Sequence, residues 1–344
     1  MNDKQFNLDE GGDLTSLVKK AKRKTILRNT GISLLMSVLI FAAGVIGHAQ
    51  LLGRSADNAL RDIAMFKRIS GPNLHGSGYR QNFGFLSGTL EYNTYKVIEG
   101  IPVVWGMETY EFNALGNFSR FPGNYSPLQL PDPTMTKEQF DYNRSYNRQT
   151  GQREMLFYLP EFDYKKYLND LPSLDEIGKG KYVEMAISLD NKYTVEQIKA
   201  MLPEGVHPVW YWVDTYYNKE FFNPQKVLVD QKMPDKTIKK VERETPPLPD
   251  PAHSVYGFGV NPEGGNPTEK TFLADIESGL KVKGKYYDEY KKIYDYLRGE
   301  KEKPEENDVK ILGVVVTGTP DSLKALNGKG YVKAAVLGTV VDKY

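Results

Sequence analysis

Asn29-Thr-Gly-Ile-Ser-Leu-Leu-Met-Ser-Val-Leu-Ile-Phe-Ala-Ala-Gly-Val-Ile-Gly-His-Ala-Gln-Leu-Leu-Gly53 contains no Asp, Glu, Lys or Arg. A helix of that length extends about 37 Å at about 1.5 Å per residue, more than a hydrocarbon core of about 30 Å. Its centre is apolar all round, unlike the striped face of a helix lying on a soluble core, and Gly31, Gly44, Gly47 and Ser37 are tolerated in membrane helices. The expectation is one transmembrane helix over 29–53. Lys19, Lys20, Lys22, Arg23, Lys24 and Arg28 precede it without an acid, whereas Arg54 and Arg61 after it are offset by Asp57 and Asp62. The positive-inside rule then orients the chain with its N-terminus in the cytosol and residues from about Arg54 outside. The competing reading is a secretory signal cleaved after Gly47-His48-Ala49, but the flank before the apolar run and the run itself are long for a signal peptide.

Residues 1–28 read as a basic cytosolic tail. Asp13 is placed to cap a helix on which Leu14, Leu17, Val18 and Ala21 recur at helical spacing opposite the lysines. Such a helix can run into the membrane span. It serves either as an anchor on anionic lipid, at about 1 kcal/mol per basic residue near the surface, or as a docking face for a cytosolic partner.

Beyond the span, 54–150 reads as a juxtamembrane helix over 55–70, ended by Gly71-Pro72, followed by a β-rich region. Thr89 to Ile98 and Ile101 to Tyr110 are strand-like runs joined by a Glu99-Gly100 turn. Pro122, Pro127, Pro131 and Pro133 favour loops over 111–150. Residues 151–344 contain two β-α-β units. The first is strand Tyr182 to Leu189, helix Tyr193 to Leu202 and strand Val206 to Asp214. The second is strand Val309 to Val316, helix Pro320 to Leu326 and strand Tyr331 to Val341. Between them lie a proline-rich linker over 244–252 and helices over Glu269 to Leu280 and Tyr286 to Leu297. The expected fold is an α+β ectodomain, of the ferredoxin-like kind if the two units share a sheet, plus one transmembrane helix.

The chain has 344 residues and nearly balanced charge, 45 basic against 44 acidic, which gives no global attraction to nucleic acid. It has no cysteine, so disulfides, thiolate nucleophiles and cysteine-ligated metals are excluded. His48, His75, His207 and His253 are spread along the chain without metal-ligand spacing, and no cofactor is expected. There is no G-x-S-x-G elbow and no P-loop, and Gly76-Ser77-Gly78 and Gly257-Phe258-Gly259 read as turns. Glu161 and Asp163 would serve only if a glycosidase pair were present, and solvated surface is the simpler reading. Val209-Trp-Tyr-Trp-Val213 is apolar on both strand faces. It is either a central strand buried on both sides or a strand presenting Trp210, Tyr211 and Trp212 to a partner or glycan.

Several segments taken together resemble the sigma factor regulator family, found in membrane-bound anti-sigma proteins of Gram-positive bacteria. In the C-terminal half they are Ala186-Ile-Ser-Leu-Asp-Asn-Lys-Tyr-Thr-Val-Glu-Gln-Ile-Lys-Ala-Met-Leu-Pro203, Pro208-Val-Trp-Tyr-Trp-Val-Asp-Thr215, Lys310-Ile-Leu-Gly-Val-Val-Val-Thr-Gly-Thr-Pro320 and Val332-Lys-Ala-Ala-Val-Leu-Gly338. Leu17-Val-Lys-Lys-Ala-Lys-Arg-Lys-Thr-Ile-Leu-Arg-Asn29 looks like the family's N-terminal segment. The resemblance implies a non-catalytic regulator of an extracytoplasmic-function sigma factor. Its tail would contact that factor or a partner membrane regulator, and its ectodomain would respond to envelope state. The tail lacks the His-x-x-x-Cys-x-x-Cys element of zinc-type anti-sigma domains and offers one helix. A different class also fits the residues: an envelope-binding module that the helix merely anchors, or a hydrolase released at Ala49.

Overall fold

The computed structural model describes residues 10–121, 127–131, 143–233, 237–260 and 268–344, the side chains at 10–14, 143 and 221 apart. Its first element is one uninterrupted helix, α1, Glu10–Lys67. From Glu10 the tail, the apolar run and the juxtamembrane segment are a single rod of about 87 Å at 1.5 Å per residue. The chain is already helical at Glu10, so Asp13 does not cap it. Among the described residues this is the one helix long and apolar enough to cross a membrane, and its apolar window is wholly exposed. Burial begins at Leu52, inside the stretch read as the span.

Next comes a four-stranded antiparallel meander of β1 (His75–Phe83), β2 (Ser87–Ile98), β3 (Ile101–Asn113) and β4 (Phe118–Arg120), in that order. β2 alternates strictly, with Leu90, Tyr92, Thr94, Lys96 and Ile98 inward. Glu99 and Gly100 both take positive φ, the turn expected there, since a two-residue hairpin loop matches strand twist best with two left-handed residues. Gly76-Ser77-Gly78 is not a turn. It lies in β1, at a bulge between Gly76 and Gly78. The region expected to be irregular contains β4 and a small pair, β5 (Leu128–Pro131) with β6 (Asn143–Tyr146). Pro122 and Pro133 lie outside the described residues.

The C-terminal half runs β7 (Leu156–Phe157), β8 (Lys181–Tyr193), α2 (Val195–Met201), β9 (Val206–Val213), β10 (Gln225–Lys232), β11 (Ile238–Thr245), β12 (Asp250–Pro251), β13 (Gly257–Gly259), α3 (Glu269–Val282), α4 (Tyr287–Arg298), β14 (Ile311–Gly318), α5 (Pro320–Lys324) and β15 (Val332–Asp342). The two β-α-β units, β8-α2-β9 and β14-α5-β15, interleave in one antiparallel sheet of order β13-β9-β14-β8-β15. Local chemistry starts each helix. Thr194 accepts from the Gln197 amide at 3.3 Å while Gln197 Oε1 accepts from Thr194 N at 2.8 Å, and Thr319 caps α5 ahead of Pro320.

The central sheet is buried on both faces. Met185, Ile187, Tyr211, Val213, Val314 and Val316 meet Phe272, Ile276, Ile293 and Leu323 on the helical side. Ala186, Trp210, Trp212, Leu312 and Val315 meet Met155, Phe157, Leu159 and Val255 on the other. Trp210, Tyr211 and Trp212 are therefore core residues, at most 2% exposed, and present no face to a ligand. Segment 155–171 supplies the cover that the sequence did not reveal. Gly257-Phe258-Gly259 is likewise no turn: it is β13, paired to Trp210–Trp212. The second half of the proline-rich stretch belongs to the fold, with Asp250–Pro251 paired to Leu156–Phe157.

Two predictions follow from this packing. A Cβ on Gly257 would sit 2.0 Å from the Tyr211 carbonyl and 2.6 Å from the Trp210 ring. Gly257→Ala should cost at least the about 1–3 kcal/mol typical of overpacking, read as a lowered urea midpoint. Burial pushes the Asp250 carboxyl up to about 6, although it accepts from Tyr216 Oη at 2.5 Å. A raised carboxyl contributes stability below its unfolded value near 4 and loses it as pH rises through 6. Asp250→Asn should thus gain on the unsubstituted chain between pH 4 and pH 7.5, by at most about 3 kcal/mol in parallel urea titrations.

Candidate functional site: the junction of α1 with two sheets

About the last four turns of α1, from Leu52 to Lys67, are built into both sheets. Leu52, Ala56, Ala59 and Ile63 recur at helical spacing and pack on Leu90, Tyr92, Tyr110, Phe112 and Phe118 of the meander. The two alanines, fully buried, let the helix axis approach the strands closely. Phe66 stacks on Tyr286 with ring centroids 4.0 Å apart and meets Tyr290 edge-on, which ties α1 to α4. Asp62 accepts from the Lys285 amide at 2.9 Å, and Arg68 reaches Asp275 of α3 at 3.2 Å. Beyond the helix, Ile69 joins the central core and its carbonyl accepts from Gly257 N at 2.9 Å, while Ser70 bridges to Tyr256. The helix end thus continues into the edge of the central sheet.

A buried ion pair locks the meander to that sheet. Lys96 Nζ of β2 lies 2.7 Å from Glu184 Oε2 of β8, at 2% and 0% exposure. Glu184 also accepts from Asn73 Nδ2 at 2.9 Å and Thr339 N at 3.2 Å, so its oxygens are fully engaged. Lys96 further sits 4.0 Å over the Trp105 ring. Farther along the hairpin, the Glu99 carboxylate accepts from Thr317 Oγ1 at 2.6 Å and faces His207 Nδ1 at 2.9 Å, pinning the β2–β3 turn to β9 and β14.

Between the helix base, β2–β3 and the Ala252–His253 segment lies a cavity of about 830 Å³. Lys67, Lys96, Arg120 and Lys285 reach its wall beside Glu108 and Trp105. Burial alone would raise the Glu108 carboxyl, but Lys67 at 2.8 Å, Tyr110 Oη at 2.6 Å and Arg120 at 3.6 Å outweigh it and hold it below the ordinary value. Burial lowers His253, and the Arg120 and Lys67 charges lower it further. The recess is polar and cation-rich. Its charges are spent largely on one another, which makes it a joint rather than a set of reactive groups.

The sequence-derived candidates fall elsewhere. Leu17, Val18 and Ala21 are exposed on α1, with Leu17 58% and Val18 52% accessible, beside the equally exposed Lys19, Lys20, Lys22, Arg23, Lys24 and Arg28. Leu14 lies in the helix, its side chain outside the described residues. Glu161 is engaged by Lys219 at 2.7 Å and Lys192 at 2.9 Å, and although burial raises its carboxyl, these ammonium groups hold it low, the reverse of a proton donor. Among the described residues no three His, Asp or Glu cluster so as to hold a metal. The Lys96–Glu184 pair escaped sequence reasoning. Its one signal was a lysine at an inward position of the strictly alternating β2.

Two family descriptions match the chain: sigma factor regulator N-terminal over residues 15–103 and sigma factor regulator C-terminal over 174–339. The chain belongs to the sigma factor regulator family. Its members are regulators rather than enzymes. No curated protein and no solved structure matches. The N-terminal match spans α1 from Thr15 onward together with β1 and β2, so in this sigma factor regulator the matched unit joins the helix to part of the meander that grips it, including Leu90 and Tyr92.

Breaking one partner of a buried ion pair leaves the other charge unpaired in the interior. Lys96→Met in the regulator should therefore cost about 3–5 kcal/mol in urea unfolding followed by tryptophan fluorescence, and a cost below about 1 kcal/mol would show the pair to be solvated.

Proposed function

We infer that the protein is a membrane-anchored anti-sigma regulator of an extracytoplasmic-function sigma factor. α1 crosses the bilayer once, with the basic tail in the cytosol and the folded region outside, the orientation that the charge asymmetry favours. The tail contacts the sigma factor, or a partner membrane regulator, through Leu14, Leu17, Val18 and Ala21, and the folded region responds to envelope state. We read the interleaved β-α-β units as a ferredoxin-like core, which the strand order β9-β14-β8-β15 supports.

The observation that carries this reading is the continuity of α1 from an exposed, basic, apolar-striped tail to a base buried in two sheets. Coupling across a membrane requires an element whose two ends each have different contacts in two states. A helix without a break transmits a displacement at its base to its tip. A tethered anchor would need no such burial.

The test is capture from solubilised membranes. Full-length protein, a chain lacking residues 1–28 and a chain with Leu14, Leu17, Val18 and Ala21 each replaced by Asp are probed for a co-purifying sigma factor. Capture by the full-length chain and at least a tenfold loss with both variants is the expected result, about 1.4 kcal/mol or more of contact. A sigma factor bound equally by all three would move the contact off the tail. No sigma factor with any chain would favour an envelope-binding module that the helix anchors.

A further inference from the structure

The meander has two unlike ends. One is the β2–β3 turn, held by Glu99 against the central sheet. The register pairs Ser87 with Asn113, Gly88 with Phe112, and Phe112 with Phe118, which brings the β1–β2 and β3–β4 turns together at the opposite end. That end points back along α1 toward its apolar run. His48 Nε2 donates to the Phe85 carbonyl, and the two rings lie 5.6 Å apart. His48 precedes Arg54 by six residues, about 9 Å of helix, so the turns reach past the first charge on this side of the run.

Their composition is unlike that of the rest of the surface. Phe85 is 79% exposed, Leu86 69% and Leu115 87%, with Phe83 beside them at 55%. Residues 82–88 and 113–117 carry no charged side chain, in a chain that is 26% charged. Asn82, Asn113 and Asn117 form an uncharged polar rim. Large apolar side chains collected at turn tips, beside uncharged polar groups and a membrane-spanning helix, suit the boundary of headgroups and acyl chains, into which apolar faces sink about 5–10 Å.

We propose that the β1–β2 and β3–β4 turns form a membrane-docking surface, with Phe85, Leu86 and Leu115 inserted into the outer interface of the bilayer that α1 crosses. The proposal rests on the membrane-spanning reading of α1. With both the helix and the turn tips engaged, the meander stands on the bilayer as a strut, and the folded region is held at a fixed height and tilt.

The absence of native cysteine permits single labels without background. Phe41→Cys, Leu86→Cys, Leu115→Cys and Tyr344→Cys are each labelled with a nitroxide in the full chain. The chains are reconstituted in phosphatidylcholine–phosphatidylglycerol vesicles, and collision with oxygen is compared with collision with an aqueous nickel chelate. The expected result is an oxygen-to-nickel ratio at 86 and 115 several-fold above that at 344 and below that at 41. Ratios at 86 and 115 equal to that at 344, with 41 lipid-exposed, would overturn the docking surface and leave the span intact. A water-exposed 41 would overturn the span itself. Shielding of 86 and 115 from both agents, with dipolar broadening between labels, would assign the tips to a second copy of the chain and overturn lipid docking.

Discussion

Burial of a helix end inside two sheets at once is the constraint from which the rest follows. Leu52 to Ile63 sits on the meander, and Phe66 and Ile69 reach the helical layer and the central core. A helix gripped on one side only could rock on its sheet. Here Lys96–Glu184 fixes the meander to the central sheet, and the Gly257 to Ile69 hydrogen bond fixes the chain beyond the helix to that sheet's edge. The three contacts close a triangle of helix, meander and central sheet, with the 830 Å³ cavity at its middle. A rearrangement of the meander against the central sheet is felt at the helix base, because that base packs on the meander through Leu52 to Ile63 and reaches the helical layer through Phe66.

The price of that rigidity is a buried charge. Apolar residues of matching shape often replace such a pair without loss of stability, but here they would take the Glu184 acceptor away from Asn73 Nδ2 and the Thr339 amide. The pair does provide direction: Lys96 meets Glu184 from an inward position of β2, and the Glu184 carboxylate gathers Asn73 and the Thr339 amide to the same point. The placement of the meander against the central sheet is thereby set by polar contacts, Lys96–Glu184 at one point and Glu99 with Thr317 and His207 at another.

The parts legible in sequence were those whose signals are local. Thr194 with Gln197, and Thr319 with Pro320, announce their helices, and the Val-rich run of β14 reads as a strand. The Glu99-Gly100 turn and the strand-like runs on either side of it were equally plain. β1 was missed because its glycines mark a bulge, which in sequence looks like a turn. The β10–β11 hairpin was missed because its charged, largely exposed residues carry no apolar period. The Trp210–Trp212 strand showed its apolar character but not its cover, since the layer above it, 155–171, has little regular structure. The Lys96–Glu184 contact joins residues 88 apart, and nothing local selects one acid among 44.

The uninterrupted α1 also has an angular consequence. With 3.6 residues per turn, each residue advances the side-chain direction by about 100°, and no break resets that count between the buried Leu52 and the exposed Leu17. The compass bearing of the tail's apolar stripe is therefore dictated by how Ala56 and Ala59 are seated on the meander. Adding or removing one residue between Arg28 and Phe41 would leave every contact of the folded region intact and yet turn that stripe about a quarter of the way round, whereas a change of seven, close to two whole turns, would nearly restore it. The helix is thus a keyed shaft, and its length is constrained in azimuth as well as in span.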